Sequence, residues 1–461
     1  MLRSDPTTPR RVSHVELDGI HEFRHGVSPA QLYATESGRL YHAGRILICM
    51  VGPPARGKTH LAVSLTRYLR WLGVNIHTFH LGDYRRGHLD EKGLPEDYFY
   101  VNASASTVKL RQRLMAACKA DILNFYEREH GQIAIYDAVN PTAAGRRSLS
   151  KDFARQNVKV LFIESYCDNT RIIEANVRSV KISSPDYIGW KQEDAVRDYL
   201  RRINDRIPHF ETVEEADLAY IKMININERI EANTSGFGYM ANRIVFYLMN
   251  LHTHARCLYF ARAGHSEEET SYKADAPLSL KGREFAVDLA DAIIAHRRRE
   301  HDAAVLNGEH AAARPLLVWS STRLRTVETA NEFRRRGITV MERTSLRQLN
   351  PGVCEKLTPQ QVLHLYPQEV TEHKADPYHH RFPRAESYHD LAVRLEPVIL
   401  ELERQTNDVL IIAHESILRV LYAYFMASST ADIPTLAFPR SEVIEIIPSA
   451  YHNKIAHIQI Y

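Results

Sequence analysis

The sequence contains little that would suit a membrane, nucleic acid or an oxidising compartment. Its five cysteines are scattered without a CxxC pair, which lends no support to a zinc or iron–sulfur site and suits a reducing compartment. No apolar run approaches the roughly 18 residues of a membrane span, and the N-terminus has no signal-peptide core. A net charge of +3 makes no case for nucleic acid or anionic lipid. We expect a cytoplasmic protein with neither a nucleic-acid nor a membrane partner.

A chain of 461 residues is too long for one ordinary core, which favours two or three domains. Short apolar runs alternate with helical patterns, and this alternation predicts α/β domains with doubly wound sheets. The pattern restarts near residue 250. We predict an extension over 1–44 that is mobile or regulatory, a first domain over 45–252 and a second over 253–461. The predicted strands are 45–51, 75–81, 132–138 and 159–165, then 256–264, 315–321 and 408–416.

Residues 52–59 match the phosphate-loop pattern GxxxxGK[ST]. Glycines let the backbone curl so that its N–H groups point at phosphate oxygens, and the following helix adds its partial positive charge. An apolar strand precedes the loop and a helix follows it, as such a loop requires. The sequence therefore predicts an ATP site, formed by Gly52, Pro53, Pro54, Ala55, Arg56, Gly57, Lys58 and Thr59.

A phosphate loop needs a carboxylate at the end of another strand to hold Mg²⁺. Asp137 closes the apolar run 133–136 and is the best candidate, with the hydroxyl of Thr59 as its partner ligand. Taken alone, Asp137 could instead be an ordinary strand-ending or helix-capping residue.

Residues 45–250 resemble the kinase domain of the 6-phosphofructo-2-kinase/fructose-2,6-bisphosphatase family. The motifs that carry the resemblance are VGPPARGKT, DYRRG, KLRQR, YDAVN, RRSL, FIES, KISSPDY, LRRI and YLMNLH, in that order. The resemblance implies a P-loop nucleotide-kinase-like fold. It also implies transfer of the ATP γ-phosphoryl group to the 2-hydroxyl of fructose 6-phosphate.

The resemblance assigns further residues by position. Lys58, Asp137 and Lys181 fall on catalytic positions, and Asn176 falls on a nucleotide contact. Fixed cations suit a dianionic sugar phosphate and a transition state that spreads its charge. Two departures stand out: Val139 replaces a threonine, and Arg206 stands where the family has a tyrosine. The positions that line the sugar-phosphate site are Arg85, Arg86, Arg111, Lys181 and Arg202.

The second half resembles the histidine-phosphatase (phosphoglycerate-mutase-like) domain of the same family. The matching motifs are WSSTRLRTVETA, PGVCEKLT, RFPRAESYHDL, RLEPVILELERQ and IIAHESILRVLYAYF. Working members have Arg-His-Gly after the first strand, and that histidine attacks phosphorus. Here Ala263 takes its place, and His265 lies two residues too far along a tight turn to reach the roughly 3–3.5 Å that attack needs. The Arg-His-Gly at 24–26 follows no apolar strand, so we do not expect it to be the phosphatase motif.

The proton donor is missing as well. The family carries a glutamate in the segment that is shortened here at Pro351, and Glu355 matches a later residue without that role. Glu415 stands where the family has glutamine and would repel phosphate. Groups that hold phosphate persist, so the resemblance implies a phosphatase-like pocket without its reacting groups. Its members are Arg262, Ala263, Arg325, Arg381, Arg384 and His414.

We therefore expect an ATP- and Mg²⁺-dependent 6-phosphofructo-2-kinase with little or no bisphosphatase activity. Two alternatives remain open. One is a bifunctional enzyme whose phosphatase works through another group, such as His265. The other is a non-catalytic regulator that binds ATP or a sugar phosphate and is weakened at Val139 and Arg206. The sequence leaves the oligomeric state open, a homodimer included.

Overall fold

A computed structural model describes residues 44–92, 95–100, 102–169, 173, 177, 191–206, 209–225, 228–252, 256–267, 275–306, 314–448 and 453–460. The predicted extension, which includes the Arg-His-Gly at 24–26, lies outside these ranges except for residue 44. Within them, no helix is both long enough and apolar enough to cross a membrane.

The first domain is built on a six-stranded sheet. The strands are β1 (Arg45–Val51), β2 (Ile76–His80), β3 (Ile133–Asp137), β4 (Val158–Tyr166), β5 (Ala219–Ile224) and β6 (Arg229–Asn233). They lie in the order β2-β3-β1-β4-β5-β6, parallel except for β6, which runs antiparallel to β5. The central strand β1 is almost wholly buried because helices cover both faces of the sheet, which explains its unbroken apolar run.

Six helices are described in this domain. The first of them begins at Lys58 in the phosphate loop, and the one that begins at Ala105 is capped by Ser104, whose side chain accepts a hydrogen bond from the backbone N–H of Thr107. The helices are α1 (Lys58–Trp71), α2 (Leu81–Lys92), α3 (Ala105–Arg128), α4 (Ala143–Ala154), α5 (Gln192–Arg206) and α6 (Gly238–Asn250).

The second domain has a separate six-stranded sheet. Its strands are β7 (Leu258–Arg262), β8 (Leu316–Ser321), β9 (Thr339–Arg343), β10 (Asp408–Ala413), β11 (Glu442–Ile447) and β12 (Lys454–Gln459). They lie in the order β12-β11-β7-β10-β8-β9. Strands β7 to β10 are parallel, and β11 and β12 extend the β7 edge in antiparallel fashion. The helices are α7 (Leu280–Leu306), α8 (Leu324–Arg335), α9 (Pro359–Leu365), α10 (Pro367–Ala375), α11 (Tyr388–Arg404) and α12 (Glu415–Met426).

The predicted α/β fold is confirmed, and all seven predicted strands are present with ends shifted by at most three residues. Sequence analysis did not anticipate β5, β6, β9, β11 and β12. Several of these lie at sheet edges and mix polar with apolar residues, as in RIEAN for β6 and KIAHIQ for β12. An edge strand has one unpaired side and less burial, so its sequence carries a weaker apolar signal.

Four helices join the two domains. Helices α1 and α6 of the first domain pack on α11 and α12 of the second, and their apolar side chains form one continuous core. The ring of Trp71 at the end of α1 meets Tyr424 of α12 edge-on, with 5.6 Å between centroids. Helix α1 therefore reaches from the phosphate loop to the second domain.

A buried carboxylate completes this interface. Glu403 of α11 pairs with Arg67 of α1 at 2.7 Å and with Arg256 at 3.0 Å, and it accepts a hydrogen bond from the Tyr424 hydroxyl. Burial opposes its charge, but the two arginines outweigh burial and lower the pKa of Glu403 to about 2. The interface thus holds an ionised glutamate that is only 2% exposed.

Candidate functional site

The phosphate loop connects β1 to α1 and depends on glycine at two points. Gly57 has φ of 78°, and Gly52 has φ of 140°. A Cβ atom at Gly52 would lie 2.8 Å from the carbonyl oxygen of Ser165, so a larger residue would clash with β4. Both positions therefore need glycine for the loop to curl over the end of the sheet.

Neighbouring segments hold the loop in place. The Arg56 guanidinium donates to the carbonyl oxygens of Cys167 and Pro54 at 3.2 Å each, so this side chain anchors the loop to the protein. The backbone N–H of Ala55 donates to the Tyr199 hydroxyl of α5 at 2.9 Å. Ala55 also has φ of 61°, an unusual value for alanine and typical of functional loops.

Three groups converge at the start of α1. The hydroxyl of Thr59 donates to Asp137 Oδ2 at 2.7 Å, and His80 Nδ1 donates to the same oxygen at 2.9 Å. Lys58 Nζ donates to the carbonyl oxygen of Pro53 at 2.7 Å, inside the loop. The structure therefore brings together Lys58, Thr59 and Asp137, the three residues that the sequence placed at the metal–phosphate site.

Asp137 is ionised in spite of its burial. Burial raises its pKa, but the hydrogen bond and charge of His80, the charge of Lys58 and the hydrogen bond of Thr59 together lower it below the ordinary value. A carboxylate and a hydroxyl are the hard oxygen ligands that Mg²⁺ prefers. The side chains of Thr59 and Asp137 therefore suit a magnesium ion.

Two of the three predicted sugar-phosphate arginines with described side chains, Arg85 and Arg111, meet around residues 97–100. The guanidinium of Arg85 lies 5.0 Å from the ring centroid of Phe99. Arg111 donates to the carbonyl oxygens of Asp97 and Tyr100, at 3.2 and 2.7 Å. Arg86 pairs with Asp83 of its own helix, three residues earlier. Arg85 and Arg111 thus converge on one segment, which Arg111 ties to α3.

Other predicted residues stay predictions. Asn176 and Lys181 lie outside the described residues, and Arg202 and Arg206 lie in α5 with side chains that are not described. Val139 is placed against the phosphate loop, where its carbonyl oxygen accepts from the backbone N–H of Gly52 at 3.2 Å.

The second domain contains a cavity of about 530 Å³ at the carboxyl ends of β7 and β10. Arg262, Ala263, Arg325 and His414 all line it, as the sequence predicted. Arg419 and Arg440 line it as well, and the sequence analysis missed both. The cavity therefore places four arginines around an alanine that has no nucleophilic atom.

Arg262 and Arg419 are neutralised in part by a carboxylate within the cavity. Glu415 pairs with Arg262 at 3.2 Å and with Arg419 at 3.2 Å. It also accepts from the backbone N–H of Phe438 at 3.3 Å. An internal anion therefore engages two of the arginines that would face a bound phosphate.

His414, which the sequence places among the groups that hold phosphate, is neutral. Burial lowers its pKa well below the ordinary value, and the charges of Arg325, Arg323, Arg262 and Arg440 lower it further. Its Nε2 accepts a hydrogen bond from Arg325 Nε at 2.9 Å, which places the ring proton on Nδ1. His414 therefore orients Arg325 and adds no charge of its own.

A free carboxyl group is also lacking among the described residues that line the cavity. Their carboxylates are Glu386 and Glu415, and Glu386 is paired with Arg394 at 2.9 Å. Glu355 is exposed and does not line the cavity, nor does His265, whose Nδ1 lies 3.3 Å from Arg440. Both carboxylates that line the cavity are thus already held in ion pairs, and its other titratable lining residues include His373 and His380.

Arg381 and Arg384 are not among the residues that line the cavity. Both side chains are exposed, and Arg381 is 3.5 Å from Asp390. Their predicted role in holding a bisphosphate gains no geometric support and stays a prediction.

His80 and Tyr199 are the residues near the first site that sequence analysis missed. His80 ends β2 as Asp137 ends β3, and both strands were predicted. The two strands are neighbours in the sheet, so an alignment of their predicted ends would have placed His80 beside Asp137. Tyr199 lies within a helix, and nothing in its local sequence marks a contact with Ala55.

The chain is similar to known proteins along its whole length. The 6-phosphofructo-2-kinase family profile matches residues 33–255, and the profile of branch 1 of the histidine phosphatase superfamily matches 258–460. A Saccharomyces cerevisiae protein, named provisionally as a 6-phosphofructo-2-kinase/fructose-2,6-bisphosphatase, is 40% identical over 100% of this chain and 92% of its own length. The Gallus gallus protein of that name is 38% identical over 89% of this chain and 84% of its own. Homo sapiens 6-phosphofructo-2-kinase/fructose-2,6-bisphosphatase 1 is 36% identical over 90% and 84%. The chain belongs to the 6-phosphofructo-2-kinase/fructose-2,6-bisphosphatase family.

Proposed function

We propose that this chain is a 6-phosphofructo-2-kinase that uses ATP and Mg²⁺ and does not hydrolyse its product. The observation that carries the kinase assignment is the convergence of Lys58, Thr59 and Asp137 at the start of α1, with Asp137 ionised. A loop of this kind holds the β- and γ-phosphates through its backbone N–H groups and its lysine. The product would be fructose 2,6-bisphosphate.

Each group at the first site has a defined task. The loop N–H groups and Lys58 would bind the phosphates of ATP, and Asn176 would contact the nucleotide. Thr59 and Asp137 would hold Mg²⁺, which neutralises charge that develops on the transferring phosphoryl group. Lys181 would stabilise the same charge, and the cations near the acceptor would orient fructose 6-phosphate. Those cations are Arg85, Arg86, Arg111, Lys181 and Arg202.

The second domain would lack bisphosphatase activity for two independent reasons. Ala263 offers no lone pair to attack phosphorus, and the glutamates that line the cavity are held in ion pairs. A general acid typically contributes about 10²–10⁴ in rate, so its loss alone would be severe. The partial neutralisation of Arg262 by Glu415 would also weaken phosphate binding.

A cytoplasmic location is part of the proposal. Each of Cys49, Cys118, Cys167, Cys257 and Cys354 is a free thiol, as suits a reducing compartment.

Steady-state assays with ATP, Mg²⁺ and fructose 6-phosphate test the kinase assignment. Lys58→Ala and Asp137→Ala should each reduce fructose 2,6-bisphosphate synthesis by about 10²–10³, the usual worth of one preorganised charge. Lys119→Ala on α3 is the matched control, because Lys119 makes an exposed ion pair with Asp152. Retention of more than roughly a tenth of wild-type turnover by either variant would contradict the assignment, since it would fall far short of that loss.

A further inference from the structure

His80 and Asp137 face each other across two neighbouring parallel strands. His80 is the last residue of β2, Asp137 is the last residue of β3, and they are register partners. His80 Nδ1 donates to Asp137 Oδ2 at 2.9 Å, and the two residues are 7% and 9% exposed. Strand pairing therefore fixes the imidazole beside the carboxylate.

The hydrogen bonds to Asp137 converge on one of its two oxygens. Within the described part of the chain, Thr59 Oγ1 and His80 Nδ1 both donate to Oδ2. The terminal torsion of an aspartate is broad and roughly two-fold, so two donors on one oxygen select one of its orientations. Oδ1 is left as the oxygen that can take a metal ligand bond.

The two donors would have different roles when a metal ion is bound. The Thr59 oxygen is itself the expected second ligand, so its contact with Asp137 is shared with the metal. His80 lies at the end of β2, outside the phosphate loop, and uses Nδ1 as the donor to Oδ2. Partners of this kind orient ligating side chains, and their loss typically costs about 10–100-fold in metal affinity.

We propose that His80 is a positioning residue that holds Oδ2 of Asp137 so that Oδ1 faces the magnesium site. The inference rests on the proposed function, because it takes Asp137 as the metal ligand. It assigns His80 no contact with substrate and no proton transfer.

Two variants of nearly equal shape test this role. The amide nitrogen of asparagine can replace Nδ1 as a donor, whereas leucine fills similar space without a donor. His80→Leu should raise the Mg²⁺ concentration for half-maximal ATP binding by about 10–100-fold, and His80→Asn should stay within about threefold of the wild type, since it keeps the donor to the ligating carboxylate. ATP binding without Mg²⁺ should be equal in all three proteins. Isothermal titration calorimetry with ATP at fixed Mg²⁺ concentrations measures both quantities.

A control on the same strand separates this effect from general damage to β2. His77 packs against Phe79 and Phe125, with 4.7 and 5.9 Å between ring centroids. His77→Asn should leave the Mg²⁺ dependence unchanged. Equal Mg²⁺ dependence in His80→Asn and His80→Leu, or a wild-type dependence in His80→Leu, would overturn the role of His80.

The binding experiment needs no phosphoryl acceptor. A wild-type protein that binds ATP with Mg²⁺ but makes no fructose 2,6-bisphosphate would refute the proposed kinase activity and leave the test of His80 intact.

Discussion

Arg262 and Glu415 form an ion pair inside the cavity of the second domain, with 3.2 Å between Nη1 and Oε2. The other carboxylate oxygen of Glu415 lies 3.2 Å from Arg419 Nη2. Glu415 therefore satisfies two arginines that line the cavity next to Ala263. A phosphate that enters must compete with this carboxylate for both guanidinium groups.

Removing this internal anion should strengthen phosphate binding. Two unit charges about 4 Å apart interact by about 4 kcal/mol at an effective dielectric constant of 20, and solvent reduces this further. We expect Glu415→Gln to bind inorganic phosphate at least about tenfold more tightly than the wild type, a change of about 1.4 kcal/mol. Titration calorimetry in saturating ADP and Mg²⁺, which occupy the phosphate loop, measures the affinity, and the difference between the two proteins reports on the second domain because only Glu415 is changed. Glu355→Gln is the control, because Glu355 is exposed and does not line the cavity. Unchanged phosphate affinity in Glu415→Gln would contradict this account.

Restoring the nucleophile alone should not restore the phosphatase. Ala263→His would return an attacking imidazole, but the glutamate that would protonate the leaving sugar alkoxide is still missing, and loss of a general acid forfeits about 10²–10⁴ in rate. Residues that act as a unit are also not additive. Turnover of fructose 2,6-bisphosphate by Ala263→His should stay near background, with Ala263→Gln as a control of similar size. Repair should need the missing glutamate too, in a segment lengthened at Pro351. Brisk turnover by the single variant would show that another group already serves as the acid.

Replacement of Arg111 should affect the two substrates of the proposed kinase differently. If it belongs to the sugar-phosphate site, Arg111→Leu should raise the KM for fructose 6-phosphate far more than the KM for ATP, by about tenfold or more for a lost charged hydrogen bond. Arg113→Leu is the control, two residues along α3 with an exposed side chain. Because Arg111 also ties residues 97–100 to α3, thermal unfolding of both variants should be compared. An equal rise in both KM values would show that the arginine set has been misassigned.

Much of the fold and of the phosphate loop could be predicted because short stretches of sequence determine them. The run RILICMV predicts a strand buried on both faces, and the loop that follows has its own glycine and lysine spacing. The expectation that Asp137 would lie beside Thr59 follows from how parallel strands end at one edge of a sheet. These features depend on a few consecutive residues or on strand ends.

The rest depends on pairings that are distant in sequence. His80 is 57 residues from Asp137, and Glu403 is 336 residues from Arg67. The sequence predicted that Glu415 would repel phosphate, but not that it would pair with Arg262 and Arg419. Nothing local to these residues identifies their partners, because the partners are set by how strands and helices pack.

Replacement of Glu403 should strongly lower the free energy of unfolding, because this residue pairs with two buried arginines between the domains. Glu403→Gln would leave Arg67 and Arg256 buried without a counter-ion, and loss of one partner of a buried pair typically costs about 3–5 kcal/mol. Urea unfolding measures the free energy of unfolding. Glu401→Gln on the same helix is the control, because its ion pair with Arg343 is partly exposed and worth about 1 kcal/mol or less.

The same cluster predicts a pH dependence with a definite sign. The pKa of Glu403 in the folded protein is about 2, below the ordinary glutamate value of about 4.3. A depressed carboxylate pKa stabilises the fold above the unfolded-state pKa, and this stabilisation is lost as pH falls through the folded-state pKa. The difference in unfolding free energy between the wild type and Glu403→Gln should be full at pH 7 and shrink as pH falls from about 4 toward 2. A difference that stays constant over that range would contradict an ionised Glu403.

One pulse–chase experiment tests both halves of the proposed function. The wild-type protein is incubated with γ-³²P-labelled ATP, Mg²⁺ and fructose 6-phosphate, and the remaining ATP is then consumed with hexokinase and glucose. We predict that label accumulates in fructose 2,6-bisphosphate and stays there during the chase, with inorganic phosphate no higher than in a sample without the protein. Absence of labelled fructose 2,6-bisphosphate would contradict the kinase assignment, and release of its label as inorganic phosphate would contradict the inactive second domain.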